Sequence, residues 1–202
     1  TIKKFASYRP DELISVEDTI RMKEISNLIL ADYGYSENLR RVFTKDKRNL
    51  SIYAYNQCCR LRDQVGFGIS AFSSLNDRFL INTPSFEEYY QRIASGQLGV
   101  NRALLRNPLQ QILWSIILPL KNYYIDKNLF KKINGVDLST VFQDKFNLLK
   151  QYGLVTESEN RMELTPTGAF YSDELVHIFY ENQHQSFPPE DFNPGVLNPY
   201  NK

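Results

Sequence analysis

The first clear periodicity along the chain follows Ser15. Met22, Ile25, Leu28 and Ile29 recur at helical spacing and run out at Tyr33-Gly34-Tyr35, and Ser15 with Asp18 three residues on makes a start of the capping-box kind. A helix is predicted between those marks. Ahead of it, residues 1–8 (TIKKFASY) have strand character that Arg9-Pro10 closes, because proline cannot donate to a sheet ladder. Beyond it, residues 36–43 (SENLRRVF) predict a second strand, and past the charged tip at 44–49 residues 50–55 (LSIYAY) predict another extended stretch. Strand, helix, strand in that order predicts a βαβ unit with a parallel sheet.

Residues 65–75 (VGFGISAFSSL) form the most informative segment. Gly66 and Gly68 flank Phe67 in an otherwise apolar run, where glycine marks either a tight strand-to-loop turn or a place where a ligand comes close to the backbone. A lone G-x-G without a third glycine does not announce a phosphate loop. A Tyr-rich helix over 85–95, stopped by Gly96, should pack back on the sheet.

After about Leu104 the pattern turns mostly helical, which places a boundary near 99–108. Pro108 should open a helix through Leu120, and a short one over 127–133 should end before Gly135. Leu138, Val141, Phe142, Phe146 and Leu149 put one apolar stripe on a helix that stops at Tyr152-Gly153. Residues 154–156 and 161–164 look like a two-stranded wing around a polar turn, and Thr165-Pro166 should launch a last helix to about Tyr180. Helix, helix, wing, helix is a winged-helix arrangement. The expected division is a sheet-containing domain over 1–103, a winged-helix-like domain over 104–182 and a proline-rich tail over 183–202.

Composition narrows the functions. The 202 residues are 42% hydrophobic and 23% charged, ordinary globular usage. Lys+Arg 24 against Asp+Glu 23 leaves +1, so no bulk field draws in nucleic acid or an anionic membrane. The longest apolar stretch, residues 112–120, is far short of the roughly 20 residues of a bilayer span. Cys58 and Cys59 are adjacent, a spacing that disfavours a disulfide between them and points to a reducing, cytoplasmic compartment. With His177 and His184 far away in the chain, no zinc or iron–sulfur ligand spacing is present. A chain that opens on Thr1 and enters a strand at once is expected to be a piece of a longer polypeptide.

Candidate chemistry is sparse. G-x-S-x-G, H-E-x-x-H and Walker patterns are absent from the sequence. The second helix of the winged arrangement would carry Asp137, Asp144, Lys145 and Lys150, with no arginine fork for guanine, so DNA is not the expected partner. Arg40, Arg41, Lys45, Lys47 and Arg48 form the one basic run, expected as a solvated loop, although an arginine pair at a strand end also suits a carboxylate. His177, beside Val176 and Ile178, has the setting of a core-edge histidine.

The order of segments carries more. A strand-helix pair, an aromatic strand with Asn56, then V-G-F-G-I-S-A-F-S, R-F-L-I-N-T (78–83), F-E-E-Y-Y-Q-R-I (86–93) and finally a winged helix with L-T-P-T-G (164–168) resembles the C-terminal half of the oxygen-independent coproporphyrinogen III oxidase family of radical S-adenosylmethionine (SAM) proteins. The likeness runs over roughly residues 1–180. It implies a fragment of a partial (β/α) barrel with parallel strands, followed by a winged-helix-like lid. It also implies SAM and a [4Fe-4S] cluster in the intact enzyme, whose radical would abstract hydrogen from a porphyrinogen propionate so that decarboxylation leaves a vinyl group. The family's C-x-x-x-C-x-x-C signature is absent, so cluster ligands and an N-terminal barrel half would have to come from elsewhere, and this chain alone is expected to be inactive. On the same resemblance the glycine loop corresponds to Gly66, Gly68, Ala71, Phe72 and Ser73, with Phe72 as a SAM contact and Ala6 as a second such position. Where the family has N-x-x-x-W, this sequence has Asn56 followed by Arg60. The expected function is oxidative decarboxylation of a tetrapyrrole substrate in haem biosynthesis. The alternatives are a haem-handling or carbon-transferring relative, or a non-catalytic module whose winged helix binds a protein.

Overall fold

The computed structural model describes residues 14–180. The predicted opening strand, Ala6 and the proline-rich tail lie outside the described residues. The chain divides into two compact units, Thr1–Leu50 and Ser51–Lys202.

In the first unit, helix α1 (Val16–Asp32) starts where predicted, with the Ser15 hydroxyl oxygen accepting from the Asp18 amide at 2.9 Å. Gly34, at φ +78°, ends it. The single strand expected over 36–43 is instead an antiparallel hairpin of β1 (Ser36–Leu39) and β2 (Val42–Thr44). The chain reverses at Arg40-Arg41, where Arg41 takes φ 59° and its amide donates to the Glu37 carboxylate at 2.5 Å. Two adjacent arginines are cheaper at a solvated turn than inside a ladder. A short 3-10 turn follows at Lys47–Asn49, capped by Asp46, which is also ion-paired with Arg48. That pairing holds the Asp46 carboxyl below the usual carboxylate range.

The second unit opens with another correction. The extended stretch expected at 50–55 is helix α2 (Ile52–Cys58), because Ser51 caps it through the Ala54 amide and the helical spacing lets Tyr55 and the buried Cys59 share one side. The predicted βαβ unit and parallel sheet are therefore not found among the described residues. Among the described residues every strand pairing is antiparallel. Strands β3 (Phe72–Leu75) and β4 (Arg78–Asn82) join through the two-residue turn Asn76-Asp77, and a connection that short closes only antiparallel. After helix α3 (Phe86–Ala94), β5 (Val100–Leu105) pairs with β4 and completes a three-stranded sheet in the order β3-β4-β5.

Arg106 bolts this sheet to the helices that follow. It is 8% exposed, donates from Nε to Gln111 at 2.7 Å and from Nη2 to the Asn76 carbonyl, and lays its guanidinium 4.3 Å from the Trp114 ring centre. Burial pulls its pKa down, against the carboxylates of Asp77 and Asp63, which act upward.

Helix α4 (Pro108–Asn122) has the full capping box of Asn107 and Gln110, with Pro108 at its first turn. Next come β6 (Tyr124–Asp126), α5 (Lys127–Asn134) with Gly135 in the left-handed cap, and a 3-10 turn at Leu138–Thr140. Helix α6 (Gln143–Gln151) then leads to the hairpin of β7 (Val155–Glu157) and β8 (Arg161–Leu164). Strand β8 is central, in the order β6-β8-β7. The stripe predicted on one helix is split, because Phe142 at φ 51° breaks the path between Leu138 and Phe146. Both ends still enter one core with Ile116, Leu120, Phe130 and Phe179. Each such side chain removed from water contributes about 1.5–3 kcal/mol.

The last predicted helix is also broken, into α7 (Pro166–Phe170), α8 (Ser172–Leu175) and a 3-10 turn at Val176–Phe179. Its start is as expected, with the Thr165 hydroxyl oxygen accepting from the Gly168 amide at 3.0 Å. No helix among the described residues is long and apolar enough to cross a membrane.

A methyl group on Gly168 would lie 1.8 Å from the Leu154 carbonyl oxygen, an oxygen already fixed by the Thr165 amide. Gly168→Ala should therefore lower unfolding free energy by about 1–3 kcal/mol in a urea titration. Unchanged stability would mean that this corner yields freely.

Candidate functional site: the glycine loop and its asparagine

The segment that carries the sequence resemblance is a loop, with strand structure only from Phe72 onward. It leaves an isolated antiparallel bridge at Gln64, which pairs with Ser74, and returns along β3. Between these points, Asn82 at the end of β4 reaches under the loop. Its carboxamide donates to the Gly68 carbonyl at 2.8 Å and to the Gly66 carbonyl at 3.3 Å. The two glycine amides are also committed, Gly66 to the Ser73 hydroxyl at 3.0 Å and Gly68 to the Tyr89 hydroxyl at 3.1 Å. Further round, the Ser70 amide donates to the Thr83 carbonyl at 3.0 Å and the Asn82 amide to the Ala71 carbonyl at 2.8 Å.

These partners are themselves held. Asn82 is 6% exposed and Thr83 fully buried. The Thr83 hydroxyl donates to Glu88 at 2.6 Å, and Arg92 pairs with the same carboxylate at 2.7 Å. Together these lower the pKa of Glu88, the Thr83 hydrogen bond first and Arg92 second. The Tyr89 ring packs on Gly99, where any side chain would collide with it.

The two glycines do different work. A methyl at Gly66 would sit 2.3 Å from the Phe72 carbonyl oxygen, so this glycine makes room for the protein's own backbone. Gly68 takes φ +95° with open space where a side chain would be, so it serves the turn and leaves that side clear. Of the other residues singled out in the sequence, Ala71 is half-buried at the start of the strand and Phe72 is 41% exposed, its ring 5.6 Å from Phe79. Phe67, between the pinned glycines, is 87% exposed.

Asn82, Thr83 and Tyr89 were not marked as site residues by the sequence. A single asparagine closing an apolar strand, R-F-L-I-N-T, was the available signal, since a buried carboxamide requires partners.

A second cluster lies within the same unit. Arg60 lies 5.2 Å over the Tyr55 ring, and the Tyr55 hydroxyl meets that of Tyr124 at 2.6 Å. Burial and the Tyr55 hydrogen bond push the Tyr124 phenol up to about 12. Burial and the neighbouring Cys58 likewise push the Cys59 thiol up to about 12. His177 is exposed beside Tyr180, away from any metal-ligand group. Among the described residues no three His, Cys, Asp or Glu side chains gather in a way that could hold a metal ion.

No family model matches the chain. It is 24% identical over 139 residues to the oxygen-independent coproporphyrinogen III oxidase of Pseudomonas aeruginosa, a match covering 66% of this chain and 29% of that protein. Its fold is similar to that of the Escherichia coli coproporphyrinogen III oxidase HemN, a radical SAM enzyme, with a TM-score of 0.57 and 18% identity over 84% of this chain and 42% of HemN. The relationship is to oxygen-independent coproporphyrinogen III oxidase. The chain spans under a third of the length of the Pseudomonas oxidase and under half of HemN. The likeness to HemN covers a mixed α/β chain of small sheets and helices.

Two expectations follow from the geometry. Gly66→Ala and Gly68→Ala should both destabilise the chain, the first through collision at about 1–3 kcal/mol and the second through backbone strain of about 1 kcal/mol or more. Thermal unfolding checks this, and a neutral Gly68→Ala would show that the loop is not held at its left-handed turn. Cys59 should resist alkylation in the native chain at mildly alkaline pH, since its thiol stays protonated where an unfolded one ionises. Because the folded pKa is the higher, stability from Cys59 is complete below the unfolded value near 9.0 and is lost as pH rises toward about 12. Labelling of Cys59 at the rate of a free thiol would contradict its burial.

Proposed function

We propose that the chain is the C-terminal part of a radical SAM enzyme of the coproporphyrinogen oxidase type. In this reading residues 1–103 form part of a barrel wall and residues 104–182 a winged-helix lid. The antiparallel sheet is compatible with the barrel wall only as a rim element, since its strands do not pair in parallel. The order α4, β6, α5, α6 and the β7–β8 hairpin, with β8 central, supports the winged-helix assignment. The observation that carries the reading is the ordered glycine loop, pinned by Asn82, in a chain whose fold matches HemN.

The residues present fit one of the two implied cofactors. Phe67 and Phe72 offer exposed aromatic surface and Gly68 leaves open space where a side chain would be, a setting suited to the adenosyl part of SAM, with Gly66 and Ala71 holding the loop's shape. They do not fit a [4Fe-4S] cluster, because Cys58 and Cys59 are adjacent and Cys59 is buried and protonated. The cluster would belong to the cysteine-bearing barrel half, the principal partner in this proposal. When bound, SAM and the cluster supply one-electron chemistry for the oxidative decarboxylation of porphyrinogen propionates. This chain's share is to bound the site and keep water out of it. The compartment is the cytoplasm, and nucleic acid and membrane are not partners.

The protein isolated anaerobically with its native flanking segment or partner should contain a cluster, bind SAM stoichiometrically and release carbon dioxide from coproporphyrinogen. The separate chain, reconstituted with iron and sulfide, should take up no stoichiometric cluster. Isolation of the native protein without cluster or SAM binding would remove the proposal.

A further inference from the structure

The loop between Gln64 and β3 contains two glycines, the residues that leave a free chain with the most conformational freedom. Such a loop would normally have to be ordered by its ligand, at a cost in affinity. Here the ordering is complete beforehand. Four hydrogen bonds, two given to the hydroxyls of Ser73 and Tyr89 and two received from Asn82, occupy the amide and carbonyl of both Gly66 and Gly68. The glycine backbone therefore has no amide left to offer a ligand. What the loop presents outward is the ring of Phe67, carried between two fixed residues.

We infer that Asn82 and Tyr89 are positioning residues that hold the glycine loop in its binding shape, so that Phe67 meets a planar group such as the adenine of SAM. The inference rests on the function proposed above. Neither side chain faces the ligand in this arrangement. Asn82 is buried beneath the loop, and the Tyr89 ring is seated on Gly99 with only its hydroxyl reaching Gly68. Their effect on affinity is exerted through the loop.

Tyr89→Phe isolates this effect, because it keeps the ring that packs on Gly99 and removes only the oxygen that accepts from Gly68. Asn82→Ala removes both donors and leaves two carbonyls unpaired, so it should act more strongly wherever it still folds. Chymotrypsin, which cuts after exposed aromatic residues, reads the loop directly at Phe67 in the purified chain. For Tyr89→Phe we expect nicking at Phe67 about ten-fold faster than in the wild type. In the anaerobically isolated holoprotein we expect SAM affinity about ten-fold weaker, with the thermal midpoint little changed. Unchanged nicking, or faster nicking with unaltered SAM affinity, would overturn the inference. So would an equal loss of SAM affinity and of the thermal midpoint, which marks a purely structural contact. A wild-type holoprotein that fails to bind SAM would overturn the proposed function as well, which separates the two failures.

Discussion

The carboxamide of Asn82 is the point on which the glycine loop depends. A buried amide that lacks partners costs more than a hydrogen bond contributes, so its two donors must find acceptors. They find the carbonyls of Gly66 and Gly68, and this fixes the loop against the end of β4. The strand is itself fixed at its other end, where Arg106 joins the Asn76 turn to α4 and stacks on Trp114. The loop is thus held from β3, from the end of β4 and from α3, and Arg106 ties the far end of β4 to the helices that follow.

This chain of supports changes what the glycines mean. In sequence both glycines are open to the same two readings, a tight turn or a close approach of a ligand to the backbone. In the fold, Gly66 admits the Phe72 carbonyl and Gly68 makes a left-handed turn, and both have spent their polar groups inside the protein. What remains exposed on this segment is chiefly the rings of Phe67 and Phe72. Arg60 adds a cation stacked on Tyr55 and linked through it to Tyr124.

Much of the fold was legible because its boundaries are made by local chemistry. Ser15 and Thr165 cap the helices they were expected to open, Pro108 stands at the first turn of its own, and Gly96 and Gly135 end theirs in left-handed turns. Features decided by distant partners were not legible. Residues 50–55 are as compatible with a strand as with a helix until Ser51 caps them, and β6 is too short at three residues to show alternation. The antiparallel register of β3 and β4 follows from a two-residue turn that apolar runs do not reveal. The importance of Asn82 was hidden for the same reason, since its bonds span 14 and 16 residues and exist only in that register. Gly66, Gly68, Ala71 and Phe72 were visible as a segment, but their division into scaffold and surface required the backbone.

The central claim is that the loop is ordered by the protein before any ligand arrives. Amide hydrogen exchange on the wild-type chain without SAM measures this residue by residue. The account predicts that the amides of Gly66, Gly68 and Ser70 exchange about 100-fold or more slowly than that of Phe67, which has no acceptor. Exchange of all four at the same fast rate would contradict it.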